Sequence, residues 1–298
     1  MDDSESHRLV ELGKSTVGRE APKSSLAGTF LRYNGRLGER MKEREVSETG
    51  SDPTPLESRL KLEIQPQPDA TTCGPTCLQA VYRYYGLDLS LERVIQEAGR
   101  LPEGGTLSVL LACHALEHGL RATIYTYNLQ IFDPTWFGPD EPDLAERLEA
   151  QRAFKRSERL TLTTDAYLNF LERGGSIRFQ DLTPALIRRY LKRSTPILTG
   201  LSATYLYRSA REWGPDDEYD DVRGEPSGHF VVLCGYHKEQ RRVLVADPWF
   251  PNPIAEGHYY QVSIDRLIGA ILLGILTYDA NFLILEPSRR APSTPCPA

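Results

Sequence analysis

Two short β-rich runs near the carboxyl end constrain the fold of this 298-residue chain more than any other feature. The runs HFVVLCGY and RVLVADP are separated by the polar turn HKEQR, a pattern that is typical of a β-hairpin. A further run, NFLILEP, has the same character and is predicted to be a strand. The carboxyl half is therefore predicted to hold a mainly antiparallel set of strands.

Helix patterns precede these strands. The run CGPTCLQAVYRYY, starting at Cys73, places apolar residues three and four positions apart, which predicts a buried helix. Ser90 and Thr106 are predicted N-caps of two further helices, and Thr183 before a proline predicts another, between the predicted strands SIRF and PILTGL. Helices followed by mainly antiparallel strands predict an α+β domain in two packed parts, with a cleft where they meet.

Composition divides the chain into one domain and two tails. Residues 1–58 are rich in Ser, Gly, Glu, Arg and Lys and are predicted to be a disordered tail. The proline-rich residues 288–298 are predicted to be a flexible tail. The domain then spans residues 59–287, and within it 132–156 and 208–227 are predicted to be insertions that border the cleft.

Charge and hydropathy exclude several classes of protein. The 35 basic and 41 acidic residues give a formal net charge of -6, which argues against a nucleic-acid partner. The longest apolar run, LIGAILLGILT, is shorter than the roughly 20 residues of a membrane span. The acidic amino terminus lacks the apolar core of a signal peptide, and five thinly spread cysteines fit a reducing compartment. We therefore predict a cytoplasmic protein without a membrane span.

Cys73 is the candidate nucleophile. A helix N-terminus stabilises a thiolate through its unpaired N–H groups and positive dipole end, and Cys73 lies at such a start. Gly74 and Pro75 permit a tight turn into the helix, and Cys77 lies one turn deeper. The alternative reading is that both cysteines belong to the core, since free cysteine is often buried.

His229 and Asp247 are the candidate partners of this thiol. His229 begins the strand HFVVLCGY, and Asp247 ends the adjacent hairpin strand, so that the carboxylate can hold the imidazole in one tautomer. Taken alone, each residue more often has a structural role: His229 as a histidine at a strand edge, and Asp247 as the first residue of a turn before proline. Gln67, six residues before Cys73, is the candidate oxyanion donor, and Gln65 is the alternative.

Three separated motifs together resemble a known family. QPDATTCGPTCLQAVYRYYG, GHFVVLCGY and VLVADPW are similar to the Gln-loop with the nucleophile helix, the histidine strand and the aspartate strand of the double-glycine leader peptidases, peptidase family C39. The resemblance covers roughly residues 63–287. It implies a papain-like fold, in which a helical part carrying the nucleophile Cys73 packs on an antiparallel sheet carrying the base His229 and the orienting Asp247. It also implies Gln67 as the oxyanion donor.

The chain departs from this pattern in ways that concern the substrate. Thr72 precedes the nucleophile, where transporter-linked members commonly have Asp, and the segment from Cys73 to His229 is longer than theirs. Leader-cleaving members are usually fused to a membrane exporter and cut after Gly-Gly, whereas this sequence shows no P-loop pattern. The chain resembles their stand-alone relatives, and bacteriocin processing does not follow.

The predicted function is hydrolysis of peptide bonds in a peptide or protein substrate by a cysteine peptidase. Two alternatives stay open: a transpeptidase or amide acyltransferase that uses the same acyl-enzyme, and a catalytically silent peptide-binding module. The sequence leaves the oligomeric state open.

Two histidines suggest a metal and are discounted. His114 and His118 are four residues apart on a predicted helix, with Cys113 adjacent, a spacing that can bind zinc. No carboxylate or second cysteine pair with ligand spacing completes the set, and a histidine at a helix C-terminus also interacts favourably with the dipole. We therefore predict no metal and no cofactor.

An acidic run precedes His229. A local negative potential there would favour basic peptide substrates, although such runs are usually solvated loops. Its acidic residues are Asp216, Asp217, Glu218, Asp220 and Asp221.

Overall fold

The computed structural model describes residues 58–102, 104–138, 143–277 and 279–288. Except for Ser58 and Ser288, the two predicted tails lie outside the described residues. The helices of this part of the chain are α1 (Cys73–Tyr84), α2 (Leu91–Glu97), α3 (Ser108–Glu117), α4 (Leu144–Phe154), α5 (Glu158–Glu172), α6 (Pro184–Leu191), α7 (Ala203–Tyr207) and α8 (Ile264–Leu273). The strands are β1 (Ser58–Arg59), β2 (Leu120–Thr126), β3 (Ser176–Arg178), β4 (Ile197–Ser202), β5 (Glu212–Trp213), β6 (Glu218–Tyr219), β7 (Gly228–His237), β8 (Arg242–Ala246), β9 (Tyr259–Ser263) and β10 (Asn281–Pro287).

One large sheet organises the molecule, in the order β3-β2-β10-β4-β7-β8-β9. Neighbouring strands in this order are antiparallel, except for the parallel pair β2 and β3. β1 pairs with the far end of β7, beyond the point where β4 stops. The predicted hairpin is β7–β8, and α1 packs against β7, which confirms an α+β fold in which the helix that starts at Cys73 packs on an antiparallel-rich sheet.

The predicted helix starts are mostly confirmed. The Ser90 and Thr183 hydroxyls each accept a hydrogen bond from a backbone N–H of the helix that follows, as N-caps do. The predicted cap at Thr106 is wrong, because α3 begins two residues later, at Ser108. The Thr106 hydroxyl instead donates to the Gly99 carbonyl oxygen at 2.7 Å, which fixes the loop before the helix.

Two interior strands frame the centre of the sheet. β2, which the sequence patterns missed, pairs with β10 along its whole length, and β10 also pairs with β4. The predicted run NFLILEP is therefore an interior strand and not an edge. Its first five residues are buried, as expected of a strand covered on both faces.

The two predicted insertions have different surroundings. Within 132–156, a 3-10 turn at Pro134–Phe137 precedes α4, which packs on α5. Within 208–227, strands β5 and β6 form a small separate hairpin directly before β7. This second segment therefore runs into the strand that carries His229.

The apolar run LIGAILLGILT folds into the end of α8 and a 3-10 turn at Gly274–Thr277. α8 packs against β4 on one side, while Leu272, Leu273 and Leu276 are exposed. In the part of the chain that the structure describes, no helix combines the length and the apolar character that a membrane span needs.

Candidate active site

Cys73 is the first residue of α1, where the helix meets the sheet. A Cβ at Gly74 would lie 2.5 Å from Thr106 Cγ2, so glycine is needed for this close approach of the helix start to the loop before α3. The residue before the helix, Thr72, donates its hydroxyl to the Asp69 carbonyl oxygen at 3.0 Å and accepts from the Asp69 N–H. The thiol thus lies at the first turn of a twelve-residue helix, among its unpaired N–H groups.

His229 lies at the start of β7 and contacts both predicted partners. Its Nε2 is 2.8 Å from Asp247 Oδ1, and its imidazole is hydrogen-bonded to the Cys73 thiol. Because Nε2 serves the carboxylate, Nδ1 is the nitrogen that remains for the sulfur. The structure therefore brings Cys73, His229 and Asp247 together, as the sequence predicts.

Asp247 is completely buried, and both of its carboxylate oxygens are engaged. Oδ1 accepts from His229 and from the Trp249 backbone N–H at 2.9 Å, and Oδ2 accepts from the Tyr207 and Tyr260 hydroxyls, each at 2.6 Å. Burial raises the pKa of this carboxyl, but the His229 charge and these hydrogen bonds outweigh it and leave the pKa below 3.8. The carboxylate therefore stays ionised at neutral pH.

The same pairing keeps His229 protonated. Burial lowers the pKa of the imidazole, but the Asp247 carboxylate and the Cys73 sulfur outweigh it and raise the pKa from 6.5 to about 10. This shift stabilises the folded state fully below pH 6.5, and the contribution is lost as pH rises towards about 10. The contribution of Asp247 has the opposite sign: it is present above pH 3.8 and is lost as pH falls through the lowered pKa.

Aromatic side chains pack around the His229–Asp247 pair. The Trp249 ring packs edge-on against His229, with centroids 5.9 Å apart, and against Tyr207 at 5.3 Å. Tyr207 also lies 6.0 Å from the imidazole. Low water access strengthens the electrostatic attraction between His229 and Asp247. Tyr207 and Tyr260 could not be predicted from the sequence. They come from α7 and β9, which lie far from Cys73 along the chain, and no local pattern marks them.

Gln67 is attached to the site through its backbone. Its N–H donates to the Pro248 carbonyl oxygen at 2.9 Å, so that the Gln-loop lies beside the residue that follows Asp247. Its side-chain Nε2 donates to the Asp69 carbonyl oxygen at 2.9 Å, and Gln65 is exposed. One of the two amide hydrogens of Gln67 is thereby committed to the loop.

The second cysteine of α1 has a different environment. Cys77 is fully buried, and its Sγ–H donates to the Phe230 carbonyl oxygen at 3.3 Å. Burial, followed by the neighbouring Cys73, raises the pKa of the Cys77 thiol well above its ordinary value. Cys77 therefore stays a protonated core residue.

Comparison with known proteins supports this reading of the fold. Residues 61–139 match the model of the Peptidase C39 family, and residues 146–265 match the model of the Peptidase_C39 like family. The first match includes Gln67 and Cys73, and the second includes His229 and Asp247. A search of curated proteins found no match.

Three solved structures are similar to the chain at low identity. The double glycine motif protease from an AMS/PCAT transporter, in complex with the leader peptide, is 16% identical, with 78% of this chain and 96% of that chain covered and a TM-score of 0.37. The peptidase domain of Streptococcus ComA, a bi-functional ABC transporter, is 14% identical over 76% and 99%, with a TM-score of 0.36. Xylellain, a cysteine protease from Xylella fastidiosa, is 15% identical over 79% and 87%, with a TM-score of 0.37.

The two family matches define the class of this protein as a cysteine peptidase. Within that class, the chain is similar to the Peptidase C39 family in its first matched segment and to the Peptidase_C39 like family in its second.

Proposed function

We propose that the chain hydrolyses peptide bonds in a peptide or protein substrate through a triad of Cys73, His229 and Asp247. The observation that carries this proposal is a single imidazole that pairs with a buried carboxylate at 2.8 Å and is hydrogen-bonded to a thiol at a helix start. A buried core cysteine and an isolated ion pair would each be stable without the other. Nucleophilic catalysis requires all three groups together: a nucleophile, a proton carrier and a group that orients the carrier.

The first half-reaction forms a thioester. The Cys73 thiolate attacks the scissile carbonyl carbon, and the carbonyl electron pair moves onto oxygen. When the tetrahedral intermediate collapses, His229 gives its Nδ1 proton to the leaving amine, and the carbon–nitrogen bond breaks. Asp247 stays ionised throughout and holds Nε2–H, which keeps the ring in this orientation.

The second half-reaction releases the acid. The now neutral His229 takes a proton from water, and the resulting hydroxide attacks the thioester carbonyl. Collapse of this second intermediate expels the Cys73 thiolate and yields a carboxylic acid on the substrate, which releases its proton to solvent. The imidazolium–thiolate pair is then restored, and the reaction consumes one water for each bond cleaved.

Both intermediates carry an oxyanion next to the start of α1. The Cys73 backbone N–H is one donor, since the first N–H groups of a helix have no partner within it. The second donor is the remaining amide hydrogen of Gln67, whose loop is tied to Pro248 beside the triad. Loss of one such donor costs roughly 10²–10³-fold in kcat in other enzymes.

The segment before β7 supplies the substrate preference in this proposal. The Glu212 carboxyl, on β5, lies within electrostatic reach of His229. In the acidic run itself, the Asp220 carboxylate accepts hydrogen bonds from two backbone N–H groups and from Arg223 Nε at 2.6 Å. The other acidic residues of this run favour basic peptides in this proposal. Because Arg223 offsets the charge of Asp220, the negative potential is weaker than the number of acids suggests.

A peptide-library digest tests the proposal. The wild-type chain is incubated with the library with and without a high concentration of an added amine, and new termini are identified by mass spectrometry, with Cys73→Ala as the matched control. We expect new free carboxyl termini that are absent from the control. Products that carry the added amine as the main species would point to an acyltransferase. Peptide binding without any new terminus would point to the silent binding module.

A further inference from the structure

Helices α2 and α3 bring together three potential metal ligands that play no part in the triad. They are Glu97, the last residue of α2, and the pair His114 and His118 on α3 and at its C-cap. No carboxylate with ligand spacing accompanies the histidines in the sequence, but the fold brings one from the preceding helix. Glu97 lies 17 positions before His114, a separation that no local spacing rule covers.

The distances between the ligand atoms suit a tetrahedral ion. Glu97 Oε2 lies 3.4 Å from His114 Nε2 and 3.6 Å from His118 Nε2, and the three atoms all lie within 4.8 Å of one another. With metal–ligand bonds of about 2.1 Å, neighbouring ligand atoms of a tetrahedral zinc site are about 3.4 Å apart. The two edges to Glu97 therefore already have the required length.

His114 provides an independent sign of a missing ligand. The residue is 3% exposed, yet among the residues that the structure describes its Nε2 has no hydrogen-bond partner, despite the nearby Glu97 carboxylate. Buried polar atoms are nearly always satisfied. An ion on the axis of Nε2 would satisfy this atom.

Each ligand is also held from behind by an outer partner. Arg93 Nε donates to the other oxygen of Glu97, Oε1, at 2.8 Å. His118 Nδ1–H donates to the His114 carbonyl oxygen at 2.9 Å, which leaves Nε2 with its lone pair. Tyr82 OH is 2.6 Å from His114 Nδ1, so that the tautomer with its proton on Nδ1 turns a lone pair towards Glu97. Such partners orient the ligands of metal sites.

We propose that Glu97, His114 and His118 form a zinc site whose fourth position is open to water. Two imidazoles and one carboxylate are borderline ligands that suit Zn²⁺ better than Mg²⁺ or Ca²⁺. Glu97 is 40% exposed and His118 is 19% exposed, so solvent reaches the fourth position. The ion joins α2 to α3, and through Tyr82 it also contacts α1, about 13 Å along that helix from Cys73.

Zinc titration of the full chain carrying Cys73→Ala tests this site. The substitution removes the sulfur of Cys73, which together with His229 would offer zinc a second binding site. Binding is measured by calorimetry and by the visible spectrum of bound Co²⁺. We expect one equivalent of Zn²⁺ and a tetrahedral Co²⁺ spectrum. Replacing Tyr82 with Phe is expected to weaken binding 10–100-fold, which is the usual effect of losing an outer partner.

Two ligand variants decide the outcome. His118→Phe keeps the ring stacked on His114, and Glu97→Gln keeps the size of a half-exposed side chain, so both changes spare the core. Each should weaken zinc binding at least as much as Tyr82→Phe. Glu117→Gln is the matched control, because that carboxylate pairs with Arg173 and is not one of the three ligands, and it should weaken zinc binding far less than either ligand variant. Zinc uptake that is absent from Cys73→Ala, or that either ligand variant leaves unchanged, would overturn the assignment.

Discussion

Replacing Cys73 with alanine is expected to lower kcat/KM for peptide cleavage by about 10⁴–10⁶-fold, the range seen when a covalent nucleophile is removed from a preorganised site. The imidazolium and the carboxylate stay paired in this variant, because Asp247 engages Nε2 and not the sulfur side of the ring. The fold should therefore survive the change. Steady-state rates together with thermal unfolding of the same preparation separate lost chemistry from lost structure.

Cys77→Ala is the matched control for that experiment. It removes a thiol from the same helix, one turn further from the sheet edge, where the sulfur only donates to the Phe230 carbonyl oxygen. We expect activity within about tenfold of wild type and a loss of about 1–3 kcal/mol in the free energy of unfolding, as is usual for buried substitutions. If Cys77→Ala abolished cleavage in a folded protein while Cys73→Ala did not, the assignment of the nucleophile would be wrong.

Replacing Asp247 with alanine is expected to affect both activity and stability. Four donors lose their acceptor in this variant: His229, Tyr207, Tyr260 and the Trp249 N–H. Breaking a buried charge pair by removing one partner typically costs about 3–5 kcal/mol. With the imidazole no longer held, kcat/KM should fall by roughly 10⁴-fold, the size of the effect in triads that lose their orienting carboxylate. Denaturant unfolding and cleavage assays measure the two effects separately.

Asp247→Asn separates the charge from the geometry. The amide oxygen can still accept from His229 Nε2–H, and the Tyr207 and Tyr260 hydroxyls can rotate to accept from the amide nitrogen. Papain-like proteases with a Cys-His-Asn site show that an amide can fill this position. We therefore expect Asp247→Asn to keep the fold and to lose less activity than Asp247→Ala. Equal losses in the alanine and asparagine variants would contradict an orienting role.

The fold could be predicted where a local pattern and the tertiary structure agree. The hairpin β7–β8 was predictable, since two β-rich runs flank a short polar turn. The Ser90 and Thr183 caps were predictable because capping is a contact within one turn. Thr106 has the same side-chain chemistry, but its hydroxyl is used by the loop that ends at Gly99 and not by α3.

In the candidate site too, some residues could be predicted from local sequence patterns and others could not. Cys73, His229 and Asp247 could be predicted, since each lies at the end of a helix or strand that has its own sequence pattern. Tyr207 and Tyr260 could not be, because nothing in their local sequence marks a residue whose partner is a carboxylate on another element. Glu97 could not be predicted for a similar reason. A metal-ligand spacing rule applies within one helix, whereas Glu97, His114 and His118 come from two helices.

The central claim is that Cys73 and His229 form a thiolate–imidazolium pair held by Asp247, and the rate of Cys73 alkylation by iodoacetamide at pH 6.5 measures this most directly. At that pH an ordinary cysteine is almost entirely a thiol, and iodoacetamide alkylates the thiolate form only. We predict that the folded wild type reacts at least about tenfold faster than the folded His229→Ala variant. Equal rates in the two proteins would contradict the account.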